Sequence, residues 1–240
     1  MLLTVQFSHL KLDIQLLRAF ALLAFPLLLH NLIGSSVEYI DGFIVTSHFE
    51  EEGAFTLFRY GSKELPLVTL LVSALVAALL PEVSENVAKS LGNIKQKTLR
   101  LAHILFPASI LLMLLSEWLF TNVFNPEFRE AAAVFNVYLL ILSSRILLPQ
   151  VIVIAKQQNY FLVIAGIIEL IINVILSLIF VRIWGLPGIA FASVLAYLLN
   201  KVLMIIFLKS RFQINPSQYI PLNWYFFYNL LLFGTFAYIT

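Results

Sequence analysis

Glu38-Tyr39-Ile40-Asp41 opens the stretch on which the fold turns. An apolar run follows to Ser47-His48, then an acidic knot, Glu50-Glu51-Glu52-Gly53. The chain continues through Phe58-Arg59-Tyr60-Gly61-Ser62-Lys63-Glu64-Leu65-Pro66 into a long apolar run that ends at Leu79-Leu80-Pro81. Residues 38–81 read as a helical hairpin that crosses a membrane and returns. Its charges lie inside the apolar envelope, where each is costly to keep. Folding the two arms about Glu50 and Glu51 brings Glu38 level with Lys63. Asp41 comes level with Tyr60, one residue from Arg59. Two carboxylates and two cations at matching depth point to a polar site between helices.

The rest of the composition agrees with a membrane setting. Of 240 residues, 61% are hydrophobic and 12% charged, against about 25% charged in soluble domains. Mean hydropathy is +0.95, and several uncharged runs approach the ~20 residues that span a bilayer. The net charge of +2 comes from loop lysines and arginines, so no nucleic-acid partner is expected. There is no cysteine, which excludes disulfides and thiolate metal sites. His9, His30, His48 and His103 share no ligand spacing, and no glycine loop of the phosphate-cradling kind occurs. No metal or cofactor is expected, and no catalytic residue stands out.

The expected fold is all-α, a polytopic membrane bundle of about seven spans: 16–47, 54–80, 99–121, 130–155, 159–182, 187–208 and 222–240. Residues 1–15 form an N-terminal segment, 16–211 a six-helix lobe, and 212–240 a linker with an additional helix. Strands of a membrane barrel would alternate apolar and polar residues, and these runs do not. One set of connections holds Lys11, Arg18, Lys89, Lys95, Lys97, Arg100, Lys156, Lys201, Lys209 and Arg211. The opposite set holds Arg59, Lys63, Arg129 and Arg182 with most of the loop glutamates. The positive-inside rule then puts the N-terminus in the cytoplasm. The last apolar segment stops without a charged anchor after Thr240, as a fragment or an incomplete bundle would.

Individual spans carry polar marks. In the first, Asn31, Ser35 and Glu38 fall on one helical face, with Pro26 upstream and His30 and Asp41 toward the edges. That face lines a cavity or glues two helices. The second span enters with Arg59 and Lys63, four apart on one face, beside Glu64, and breaks near Pro66. Residues 82–98 place Val83, Val87, Leu91 and Ile94 at helical spacing, as a short amphipathic helix on the cytoplasmic surface would. Asn125-Pro126-Glu127-Phe128 caps the fourth helix. A tight turn at Gln157 leaves Arg145 and Glu169 each twelve residues away, hence at equal depth and within reach of each other. Their role is packing or transport. Asn173 lies four residues after Glu169. Gly188, Ala190, Ala192, Ser193 and Ala196 open the sixth span with small residues that permit close helix packing.

Several of these segments carry a resemblance. Ile40-Asp41, Glu52-Gly53, Tyr60-Gly61, Glu64-Leu65-Pro66 and Ala77-Ala78-Leu79-Leu80-Pro81-Glu82-Val83-Ser84 together resemble the multidrug/oligosaccharidyl-lipid/polysaccharide exporter superfamily. They look most like the second six-helix lobe of polysaccharide and lipid II flippases. Gly185-Leu186-Pro187-Gly188-Ile189-Ala190 is similar to the turn before that lobe's last helix, and the likeness covers about 20–208. It implies one lobe of a V-shaped, two-lobe transporter working by alternating access, in the bacterial cytoplasmic membrane. It implies a lipid-linked sugar pyrophosphate as substrate, membrane lipids around it, and a second lobe, partner chain or dimer mate. The family's cation in the second helix would fall at Gly61, flanked here by Arg59 and Lys63. Asp41 matches the family's helix-one aspartate.

On this reading Arg59, Lys63 and Arg145 bind the pyrophosphate. Glu38, Asp41, Glu64, Glu169 and Asn173 pair with those cations or hold a coupling ion. Two alternatives stay open: a cation-coupled small-molecule exporter, and a membrane-embedded transferase or scaffold. An enzyme needs interfacial catalytic groups, and Glu50 to Glu52 are the one candidate set.

Overall fold

The structure, a computed structural model, describes residues 14–63 and 66–240. Met1 to Asp13, most of the expected N-terminal segment, and Glu64, an expected charge-pairing residue, lie outside the described residues. Everything described is helix, turn or coil, with no strand. Helix α1 spans Ile14–His48 and runs unbroken through Pro26. After it come α2, Glu52–Gly61, and α3, Pro66–Glu85. Helix α4 spans Val87–Leu119 and leads into a wide π turn, Phe120–Phe124. Three short helices follow: α5, Arg129–Leu139; α6, Leu142–Arg145; and α7, Pro149–Ala155. Helices α8, Asn159–Trp184, and α9, Leu186–Phe212, form a long hairpin. Helix α10, Pro216–Tyr219, and helix α11, Leu222–Ile239, complete the chain.

Among the described residues, four helices are long and apolar enough to cross a bilayer: Val68–Glu85, Val87–Phe124, Asn159–Trp184 and Leu186–Phe212. The bent pair Pro126–Arg145 and Pro149–Ala155 makes a fifth if it is one span. Helix α1, at 35 residues, and α11, at 18, are the remaining long helices. A polytopic helical membrane bundle is therefore the architecture. Large apolar side chains such as Leu70, Leu111, Ile171 and Ile206 stand exposed on its flanks, as a lipid-facing surface requires.

Two expectations about single helices need correction, and the break expected near Pro66 is present. The span at 54–80 is two helices, because the backbone leaves helical geometry after Gly61 and re-enters at Pro66. Proline lacks the N–H an interior helix position must donate, so it begins a helix rather than continuing one. The span at 130–155 is broken twice, and its arms bend by 43°, again at a proline, Pro149. Residues 82–98 are not a separate surface helix. From Val87 onward they are the first turns of α4. Val83, Leu91 and Ile94 face the protein core, and Lys95 Nζ donates to the Ser217 carbonyl of the α10 turn at 2.8 Å. The apolar stripe is covered by the chain's own helices, not by lipid headgroups.

The α8–α9 hairpin and α1 form the inner wall of the bundle. Gly185, at φ 64°, turns the chain in the left-handed region open to glycine. Gly188 then lets α9 touch α8: a Cβ there would sit 2.2 Å from the Phe180 carbonyl oxygen. Gly188, Ala190, Ala192, Ser193 and Ala196 are all buried. At the other end, Gln157 takes φ 56° in the turn between α7 and α8. Asn125 caps the short turn before α5, its side chain accepting from the Glu127 N–H at 3.2 Å.

Candidate functional site: a charged recess and the polar seam behind it

A recess of about 390 Å³ opens among α1, the α2–α3 break, α3, α5, α6 and α9. Glu38, Asp41, Lys63, Arg145, Tyr138 and Tyr197 are among its lining residues. The α2–α3 break places Lys63, exposed, at this recess. Its ammonium lies 5.5 Å from the centre of the Tyr60 ring. Helix α6 ends on Arg145, whose guanidinium carbon stands 4.5 Å from the centre of the Tyr197 ring. A guanidinium over an aromatic face stays charged and oriented while keeping donors for a second partner. The recess thus brings two cations and two tyrosines together with the carboxylates of Glu38 and Asp41.

The two helix-one carboxylates part company. Glu38 pairs with Arg59, not with Lys63, in an exposed ion pair. Asp41 turns the other way, is 1% exposed, and meets α8 and α9 rather than a cation of α2. The reason is helical geometry. Three residues apart on a helix is about 300° of rotation, so the two side chains leave α1 some 60° apart. With α2 on one side of α1 and α8 on the other, each carboxylate follows its own neighbour.

Behind the recess Asp41 closes a buried polar seam. Ser193 Oγ donates to Asp41 Oδ2 at 2.5 Å, and Ser177 Oγ donates to Asp41 Oδ1 at 3.4 Å. Asn173 Nδ2 donates in turn to Ser193 Oγ at 3.0 Å. All four residues are buried. Ser177 and Ser193 escaped the reading of the sequence as site residues. The signal was present in the spacing: Glu169, Asn173 and Ser177 recur every four residues on α8, and Ser193, Tyr197 and Lys201 do so on α9. Two such stripes on neighbouring arms of one hairpin face each other.

One turn further along the seam lies a charge cluster built around a buried carboxylate. Glu169 is 5% exposed and lies in the electrostatic field of Lys201 first and Arg145 second. Arg145 and Glu169, expected at equal depth, interact electrostatically, with Lys201 as an unforeseen third member. Lys201 was counted among the cytoplasmic loop cations. Instead it sits within α9, where its Nζ donates to Gln150 Oε1 of α7 at 3.1 Å. Arg59 and Glu38 remain at the periphery, and His30 packs beside Gly166 of α8.

Apolar helices around a recess that holds a guanidinium, an ammonium and a buried carboxylate define a polytopic membrane protein with a polar recess among its helices. Comparison with known sequences narrows this. The sequence model of the family described as Lipid II flippase MurJ matches residues 5–239, and the chain belongs to that family, within the exporter superfamily that its motifs resemble. Membership makes it a multi-pass protein of the bacterial inner membrane. The chain is also similar to the probable lipid II flippase MurJ of Bdellovibrio bacteriovorus HD100, at 28% identity over 174 residues. That alignment takes in 66% of this chain and 33% of the relative, so the chain spans about a third of the relative's length. No solved structure matches.

Proposed function

We propose that this chain is one lobe of a flippase that carries a lipid-linked sugar pyrophosphate across the bacterial cytoplasmic membrane by alternating access. The observation that carries the reading is the recess holding Lys63 and Arg145 among lipid-facing helices. An intramembrane cation costs about 2.5–3.5 kcal/mol on insertion scales, and an anionic substrate offsets that cost. A dianionic pyrophosphate suits two cations with donors held by aromatic faces, since charge-assisted bonds are about twice as strong as neutral ones. Arg59, held by Glu38 at the rim, would meet the headgroup on entry. Asp41, with Asn173, Ser177 and Ser193, would hold a coupling proton or cation at the back of the site. Membership in a flippase family supports movement of an intact substrate over a transferase's covalent chemistry.

The lobe would comprise 16–211, with 212–240 as linker and additional helix and the N-terminus in the cytoplasm. One lobe bounds a recess from one side, so a second lobe, a partner chain or a second copy would complete the enclosure. The test is translocation in a strain dependent on this protein, with substrate exposure read by external cleavage of the lipid-linked precursor. Lys63→Ala and Arg145→Ala lower export at least about tenfold, the loss of about 1.4 kcal/mol of substrate interaction. Normal export by both variants at normal protein level would remove the reading.

A further inference from the structure

Glu169 is a buried carboxylate, expected to pair with a cation, that lies outside the lining of the recess. Its Oε1 is shielded from solvent and accepts no hydrogen bond. The charges that act on this single carboxylate are two cations, Lys201 most strongly and then Arg145. The two cations are held differently. Lys201 is anchored to Gln150 at 3.1 Å, on the protein side of the cluster. Arg145 lies over Tyr197 and lines the open recess. One negative charge is therefore shared between a cation held on the α7 side and a cation that lines the recess.

We propose that Glu169 is a positioning residue that acts as a built-in competitor for Arg145, and that Lys201 sets the strength of that competition. The inference rests on the reading of Arg145 as an anion-binding group. With the recess empty, Glu169 partly neutralises the guanidinium and lowers the cost of keeping it inside the membrane. When an anion enters, Arg145 turns its charge toward it, and Lys201 keeps Glu169 neutralised. Without such a third charge, releasing Arg145 would strand an unpaired buried carboxylate, which is strongly unfavourable. The triad lets substrate bind and leave without an uncompensated charge on either side of the exchange. The net excess of one positive charge in the triad suits it to an anionic ligand rather than a cationic one.

The triad makes removal of two opposite charges, neither of them on the recess surface, act in opposite directions. The probe is inorganic pyrophosphate, titrated calorimetrically into the purified full chain in detergent, beside thermal unfolding of each variant. Arg145→Gln weakens binding about tenfold or more, which tests the underlying reading. Glu169→Gln frees Arg145 and tightens binding about tenfold, a coupling of ordinary allosteric size. Lys201→Gln leaves Glu169 to Arg145 alone and weakens binding by a similar factor. Glu169→Gln with Lys201→Gln, which preserves net charge, binds within about threefold of Glu169→Gln alone, because Lys201 acts on Arg145 only through Glu169. That double variant also serves if either single substitution fails to fold. A purely packing role would shift unfolding temperatures while leaving the two affinities moving together or not at all. Weaker binding by Arg145→Gln with unchanged or weakened binding by Glu169→Gln overturns the inference alone. Unchanged binding by Arg145→Gln overturns the reading beneath it.

Discussion

Replacing Ser193 by alanine should unsettle the wall between α1 and the α8–α9 hairpin more than any other loss of a single oxygen from that wall. The hydroxyl has one proton and two acceptors near it: Asp41 Oδ2 at 2.5 Å and the Ile189 carbonyl at 3.3 Å. The shorter, charge-assisted contact takes the proton. The same oxygen accepts from Asn173 Nδ2 at 3.0 Å. Alanine therefore removes two bonds and leaves a buried carboxylate oxygen and an amide short of partners, with Asn173 Oδ1 already unpaired. Side-chain hydrogen bonds in membrane bundles average about 0.6 kcal/mol and reach about 1.7. Orphaned buried groups cost about 1–3 kcal/mol. The smaller figure describes groups that can find new partners, and Asp41, 1% exposed, has few within reach. The expected loss is about 2–3 kcal/mol, or roughly 4–12 °C in unfolding midpoint for a chain of this size. Thermal unfolding in detergent reads it. In an Asp41→Asn background the cost of Ser193→Ala should fall by about 1 kcal/mol, because the acceptor is no longer charged. A shift below about 1 °C, or an equal shift in both backgrounds, would refute the claim that this hydroxyl holds Asp41.

Glycine substitutions should separate contact from propensity. Gly188→Ala forces a methyl to 2.2 Å from the Phe180 carbonyl oxygen, so α9 must move away from α8 at about 1–3 kcal/mol. Gly92→Ala, on the exposed side of α4 with open space around it, should instead stabilise by about 0.5–1 kcal/mol; equal signs in thermal unfolding would contradict the packing described. The Glu38–Arg59 pair is exposed on both sides, so Glu38→Gln should change stability by under about 1 kcal/mol, and less at high salt. A larger loss would contradict the exposure of the pair.

Much of this protein is written in its composition. The length and apolarity of its runs require helices in a bilayer, since no other element satisfies every backbone group there. The break at Pro149 went unread, but Pro66 marked a break, and Gln157 marked the turn that sets Arg145 and Glu169 at one depth. Such features are local, and local rules read them. Which neighbour a polar side chain chooses is not local. Asp41 could be placed at a depth but not on a side, and it turned to two serines rather than to a cation. Lys201 read as a loop charge because hydropathy windows count residues without knowing which helix packs beside them. The amphipathic run at 82–98 read as a lipid-facing surface because an apolar stripe carries no label for what covers it. Backbone satisfaction in lipid determines the helices from sequence alone. The rotation of each helix about its own axis, and so the pairing of every buried charge, is settled by packing among helices distant in the chain.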